Sequence, residues 1–143
     1  MAGDSIKKVL IVDDDDDIRL IAEISLRDVG GFEVLTAASG RDGIEMAIGE
    51  MPDLILLDMM MPGMDGLRVL AELRSSESTK HIPVAFLTAK AQKREIALYL
   101  ASGGQAVITK PFDPMQLPDQ VRRIGANFGL QSEAAAQPEA GKD

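Results

Sequence analysis

Five consecutive aspartates, Asp13-Asp14-Asp15-Asp16-Asp17, follow the apolar run Val9-Leu10-Ile11-Val12. Carboxylates pinned at the end of an interior strand repel one another, which raises their proton affinity unless a cation binds. A hard divalent ion with oxygen ligands resolves that repulsion. Asp58 likewise ends the apolar run Leu54-Ile55-Leu56-Leu57. Thr88 follows Val84-Ala85-Phe86-Leu87, and Lys110 follows Ala106-Val107-Ile108-Thr109. An ammonium at a strand end can pair with a carboxylate or with a bound phosphoryl group. Pro111 restricts Lys110 to extended backbone, which helps to fix its direction. The plainer readings are a solvated acidic face for Asp15, Asp16 and Asp17 and local hydrogen bonding for Thr88.

These residues need elements that bring them together. The runs at 9–12, 32–35, 54–57, 84–87 and 106–109 have strand length, and several are rich in β-branched residues. The first, third and fourth are apolar almost throughout, as in parallel strands covered on both faces. Between them lie residues at helical spacing. The first such set is Ile18, Ile21, Ala22, Ser25, Leu26 and Val29, stopped by Gly30-Gly31. Ile44, Ala47 and Ile48 form a second set, and Leu67, Leu70 and Leu73, with Asp65 as N-cap, a third. Ile96, Tyr99 and Leu100 suggest a fourth helix, and Val121 and Ile124 a fifth. Asp113-Pro114 has the look of a helix start, but Pro118 four residues later would cost that helix a bond. Either its first turn is distorted or, the favoured reading, the fifth helix starts near Leu117 with Pro118 in its first turn. The alternation predicts an α/β fold with a doubly wound parallel sheet and helices on both faces. Such sheets bind ligands beyond the carboxyl ends of their strands. If the first and third strands are neighbours, Asp13, Asp14 and Asp58 converge in a pocket suited to Mg2+ and an anionic substrate such as phosphate.

Composition narrows the function. The chain has 143 residues, with 15 Lys and Arg against 23 Asp and Glu, for a formal net charge of −8. That balance argues against nucleic-acid binding, which needs clustered basic residues. Zero cysteines exclude disulfides, thiolate metal sites and cysteine nucleophiles. The one histidine, His81, disfavours a His-based zinc site or catalytic triad. No apolar run is long enough for a membrane span and the N-terminus has no signal-peptide pattern, so the expected compartment is the cytoplasm. Hydrophobic residues make up 45% of the chain, enough for a buried core. One domain over residues 1–126 is expected, with its core at about 6–126. Residues 127–143 are expected to form a flexible tail or linker, with an extension of the fifth helix over the alanines as the alternative.

Taken in order, Val12-Asp13-Asp14, the stretch from Asp53 to Gly66, Leu87-Thr88-Ala89 and Lys110-Pro111-Phe112 resemble a response-regulator receiver domain of two-component signalling. The resemblance implies a flavodoxin-like (βα)5 sheet of order 2-1-3-4-5. It implies Asp58 as phosphoacceptor, charged by a sensor histidine kinase or a phosphotransfer protein. It also implies Asp13, Asp14, Asp58 and the backbone carbonyl of Met60 around Mg2+, with Mn2+ as a substitute. Asp14 would ligate directly and Asp13 mainly through water. Thr88 and Lys110 would contact the phosphoryl oxygens. Such a protein is a switch acting on an unknown downstream target, monomeric or dimerising through its fourth and fifth helices when phosphorylated. It catalyses only its own phosphorylation and dephosphorylation.

Some positions depart from that pattern. Val107 stands where the family usually has Tyr or Phe, so output needs another reporter, for which Tyr99 is a candidate. Met60 and Lys90 occupy positions that tune access of the hydrolytic water, and an apolar Met60 is expected to slow autodephosphorylation. Gly30-Gly31 is one residue longer than the usual turn, with only a loop effect expected. A calcium loop counted from Asp13 fails, because Ile18 and Ile24 stand where Gly and Glu are required. A dehalogenase-like phosphatase would need Thr or Val where Asp17 stands, and the chain leaves little room for a cap. No Walker loop or G-x-G-x-x-G is present. The alternatives kept open are a receiver-like interaction module that does not switch, and the receiver portion of a longer regulator.

Overall fold

The computed structural model describes residues 6–136. Five strands alternate with helices: β1 Lys8–Val12, α1 Asp16–Ile24, β2 Glu33–Ala37, α2 Gly40–Glu50, β3 Leu54–Asp58, α3 Gly66–Arg74, β4 Val84–Thr88, α4 Lys93–Ala101, β5 Ala106–Thr109 and α5 Leu117–Ala136. The strands form one parallel sheet of order β2-β1-β3-β4-β5. From β1 the chain crosses first to one side, to β2, and then to the other, to β3. That reversal opens a cleft beyond the carboxyl ends of β1 and β3, where Asp13 and Asp58 stand.

Alternation along the strands builds two apolar layers. Leu10, Val12, Ile55, Leu57, Val84 and Phe86 meet Ile44 and Ala47 of α2, Val69, Leu70 and Leu73 of α3, and Tyr99 of α4. On the other face Val9, Ile11, Leu54, Leu56, Ala85, Leu87 and Ile108 meet Ala22 of α1 and Leu117, Val121 and Ile124 of α5. Burial on both faces explains why the central strands are apolar throughout, since each residue must leave water whichever way it points.

The first helix follows only part of the spacing that predicts it. Ile21 and Val29 are exposed, and the buried positions are Ala22, Ser25 and Leu26. After Ile24 the chain makes a π-helical turn, Ser25–Val29, in which the Gly30 N–H reaches the Ser25 carbonyl at 3.1 Å. A π turn carries extra residues without breaking the helix. The π turn precedes Gly30-Gly31, so the irregularity begins inside the helix rather than only in the loop. It docks the last helix, because Arg122 donates to the Gly30 carbonyl at 2.9 Å and lies 5.3 Å from the Phe32 ring centroid. The Ser25 hydroxyl donates to the Pro114 carbonyl.

α5 starts at Leu117 with Pro118 in its first turn, where the missing N–H costs no helical bond. It continues to Ala136, taking the extension over the alanines; residues 137–143 of the expected tail lie outside the described residues.

Phe86 is fully buried on β4, with its ring centroid 5.5 Å from that of Tyr99 and Gly104 packed against its ring edge. Urea unfolding of Phe86→Ala is expected to show a loss of about 3–5 kcal/mol, the usual range for truncating a close-packed aromatic. A loss under about 1 kcal/mol would mean that the layer collapses around the gap.

Candidate functional site

The strand ends deliver the expected residues to one place. One carboxylate oxygen from each of Asp13, Asp14 and Asp58 lies within 4.8 Å of the others. Lys110, beyond β5, crosses to the cluster. Its Nζ stands 2.8 Å from Asp13 Oδ2 and 3.1 Å from Asp58 Oδ1. Asp13 and Asp58 are buried, whereas Asp14 is exposed at the mouth. Three carboxylates against one ammonium leave two negative charges, the complement of a divalent ion.

Asp13 is fixed by nearly every polar atom it has. Its N–H donates to the Ala37 carbonyl at 3.1 Å, continuing the pairing of β1 with β2. Its carbonyl accepts from the Arg19 guanidinium at 2.7 Å, and its Oδ1 accepts from the Asp15 N–H at 2.9 Å. Oδ2 faces the ammonium as an ion pair, yet among the described residues it is the one buried side-chain atom without an aligned hydrogen bond. A buried carboxylate oxygen with a free lone pair, beside two further carboxylates, fits a divalent cation or a water bound to one.

The acidic run divides by role. Asp13 and Asp14 join the cluster, while Asp15 caps α1 by accepting from the N–H groups of Asp17 and Ile18. Asp16 pairs with Arg19. Asp15, Asp16 and Asp17 are all exposed, as the solvated-face reading expects, and the capping by Asp15 and the pairing by Asp16 take place on that face. Arg19 and the capping role of Asp15 went unread in the sequence, although the i, i+3 spacing of Asp16 and Arg19 was a signal for the pair.

Asp58 accepts from the Met60 N–H at 3.3 Å. Close behind it runs the start of α3, where a Cβ on Gly66 would meet the Asp58 carbonyl at 2.8 Å, so only glycine permits this approach. Thr88 is buried, and its Oγ1 accepts from the Lys90 N–H at 3.0 Å and contacts the Lys90 carbonyl at 3.3 Å, so the hydroxyl is engaged within its own loop. Met60 and Lys90 are exposed beside the pocket. Val107 is half-buried against the layer that holds Phe86 and Tyr99.

Burial and the charge of Asp13 push the Asp58 carboxyl up from 3.8 to about 6, against the opposing pull of Lys110 and the Met60 N–H. Burial works against the charge of Lys110, but its bonds and attraction to Asp13 and Asp58 outweigh this and hold its pKa above the ordinary lysine value.

A five-stranded parallel sheet of order β2-β1-β3-β4-β5, with strand-end carboxylates at its switch point and a lysine across from them, is the architecture of a receiver-type signalling domain. The chain belongs to the response regulator receiver domain family, whose family model matches residues 9–122. It is 36% identical over 118 residues to the alkaline phosphatase synthesis transcriptional regulatory protein PhoP of Bacillus subtilis, covering 82% of this chain and 48% of PhoP. It is 37% identical over 134 residues to the response regulator PleD of Caulobacter vibrioides, covering 93% of this chain and 29% of PleD. The chain thus spans about half or less of the length of these two relatives. Among solved structures, the chemotaxis response regulator CheY4 of Vibrio cholerae superposes with a TM-score of 0.78 at 32% identity, covering 84% of this chain and 99% of that one. A putative response regulator from Chloroflexus aurantiacus gives 0.77 at 33% identity, covering 85% and 99%. Among the described residues no helix is long and apolar enough to cross a membrane.

The raised Asp58 pKa has a consequence for stability. The unfolded carboxyl ionises near 3.8 and the folded one near 6, so folding of the metal-free chain weakens as pH rises through that window. Below both values the effect is absent, and above about 6 it is constant. Without metal at pH 7.5, Asp58→Asn is therefore expected to melt several degrees above the parent, and the gap should close toward pH 4. Thermal melts across pH check this, and a variant that melts below the parent at pH 7.5 contradicts it.

Proposed function

We propose that this receiver domain is a phosphorylation-dependent switch of a two-component phosphorelay, with Asp58 as phosphoacceptor. The observation that carries the reading is the Asp58 carboxylate, buried at the switch point and held 3.1 Å from Lys110 Nζ beside Asp13 and Asp14. The donor is a phosphohistidine on a sensor histidine kinase or phosphotransfer protein. A carboxylate oxygen of Asp58 attacks phosphorus in line with the P–N bond. That bond breaks, the imidazole nitrogen keeps the electron pair and takes a proton from water, and Asp58 becomes an acyl phosphate.

Asp13, Asp14, Asp58 and the Met60 carbonyl would hold Mg2+, or Mn2+ in its place. When bound, the ion offsets charge on the phosphoryl oxygens. Lys110 pairs with a phosphoryl oxygen from the opposite side. The Thr88 hydroxyl leaves the Lys90 carbonyl and donates to the phosphoryl group, which moves β4 relative to its neighbours. Phe86, two residues back on β4, touches Tyr99, and this contact supports Tyr99 as a reporter in place of an aromatic at Val107. The altered surface then meets a downstream protein, or a second copy through α4 and α5. The expected compartment is the cytoplasm.

Incubation with acetyl phosphate and Mg2+ should add one phosphoryl group to the parent by intact mass, and none to Asp58→Asn or to the parent without divalent ion. A parent that binds Mg2+ but stays unmodified would favour a receiver-like module that does not switch.

A further inference from the structure

Arg19 lies beside the cluster but spends its guanidinium on a backbone carbonyl and on Asp16 rather than on the clustered carboxylates. Its guanidinium donates to the buried Asp13 carbonyl at 2.7 Å with one nitrogen and pairs with the Asp16 carboxylate through another. Its side chain is 19% exposed, so the fork is largely shielded from water. The backbone N–H of Arg19 meanwhile bonds the Asp15 carbonyl at 3.0 Å. One side chain on α1 therefore ties the end of β1 to the first turn of α1, and Asp14 lies between the tied points.

We infer that Arg19 is a positioning residue for the cation site: its fork holds the Asp13–Asp14 turn so that both carboxylates meet Asp58. The inference rests on the proposed divalent-ion site and adds a residue that does not ligate. Without the fork the Asp13 carbonyl loses a charge-assisted bond in a buried setting. The turn then samples other conformations, and the three carboxylates no longer converge unaided. Groups that orient metal ligands typically change affinity by about 10–100-fold when removed.

The sign of the effect separates positioning from simple electrostatics. Arg19 is a positive charge near a cation site, so its charge alone opposes Mg2+. Removing it would tighten binding if charge were all that mattered. Positioning predicts the reverse.

The test is Mg2+ binding to the full chain by calorimetry, with Mn2+ by electron paramagnetic resonance as a second probe, beside thermal melts. Arg19→Gln is expected to weaken Mg2+ binding by about ten-fold or more. Arg19→Lys keeps the charge but lacks the two-pronged geometry, and should recover only part of the affinity. Asp16→Asn releases the outer prong and should weaken binding more than Asp17→Asn, which removes the same charge from the same acidic run without touching Arg19. These two exposed substitutions keep the test decisive if Arg19→Gln fails to fold. Unchanged or tighter binding in Arg19→Gln, or equal effects of Asp16→Asn and Asp17→Asn, overturns the inference while leaving the cation site standing. A lower melting temperature with unaltered Mg2+ affinity assigns Arg19 a purely structural part and also overturns it. A parent chain that binds no divalent ion overturns the proposed function and this inference together.

Discussion

The arrangement turns on one ammonium between two buried carboxylates. Lys110 reaches from the edge of the sheet, beyond β5, to Asp13 and Asp58 at its centre. Two carboxylates brought out of water this close cannot both hold full charge comfortably without a compensating cation. Lys110 supplies part of that compensation. Burial, together with the charge of Asp13, still raises the Asp58 carboxyl to about 6 against the pull of Lys110. The remaining negative charge makes the pocket receptive to a divalent ion, and the two cations together would favour the ionised form of Asp58.

The fold serves that balance. Parallel strands end on the same side of a sheet, so the residues after β1, β3, β4 and β5 all emerge at one edge. The crossover at β1 opens space there rather than filling it with a connecting loop. Two apolar layers hold the strands rigid from both faces, so charged groups at their tips are positioned by packing they do not themselves provide. Local hydrogen bonds finish the placement: Asp15 caps α1, Arg19 grips the Asp13 carbonyl, and Gly66 lets α3 begin directly against Asp58. The π turn at Ser25–Val29 joins α1 to the loop after Lys110, through Ser25 and Pro114. The helix that follows the acidic run is thus tied to the loop that follows Lys110.

Much of this is legible in the sequence. Uninterrupted apolar runs announced strands buried on both faces, because a covered strand leaves no position for a polar residue. A proline four residues into a proposed helix moved the start of α5 to Leu117, because a helix interior cannot spare that N–H. Asp13, Asp14, Asp58, Thr88 and Lys110 were visible because polar residues at the tips of apolar strands have no packing reason to be there. Other features were hidden. The spacing of Ile18, Ile21, Ala22, Ser25, Leu26 and Val29 suggested a core face; Ala22, Ser25 and Leu26 do turn inward, but Ile21 and Val29 are exposed and the helix continues as a π turn. Periodicity records which residues could share a face, and only the sheet decides which face is covered. Likewise the five aspartates are chemically identical in sequence, and their separate roles arise from which N–H, guanidinium or neighbouring carboxylate each one meets. Sequence by itself determined the element order, the apolar layers and the identities of the charged tips, since these depend on residue type and local spacing. Tertiary structure alone decided that Lys110 pairs with both carboxylates and that Arg19 turns its charge to a backbone carbonyl, since those contacts join residues whose meeting depends on the packing of the whole sheet.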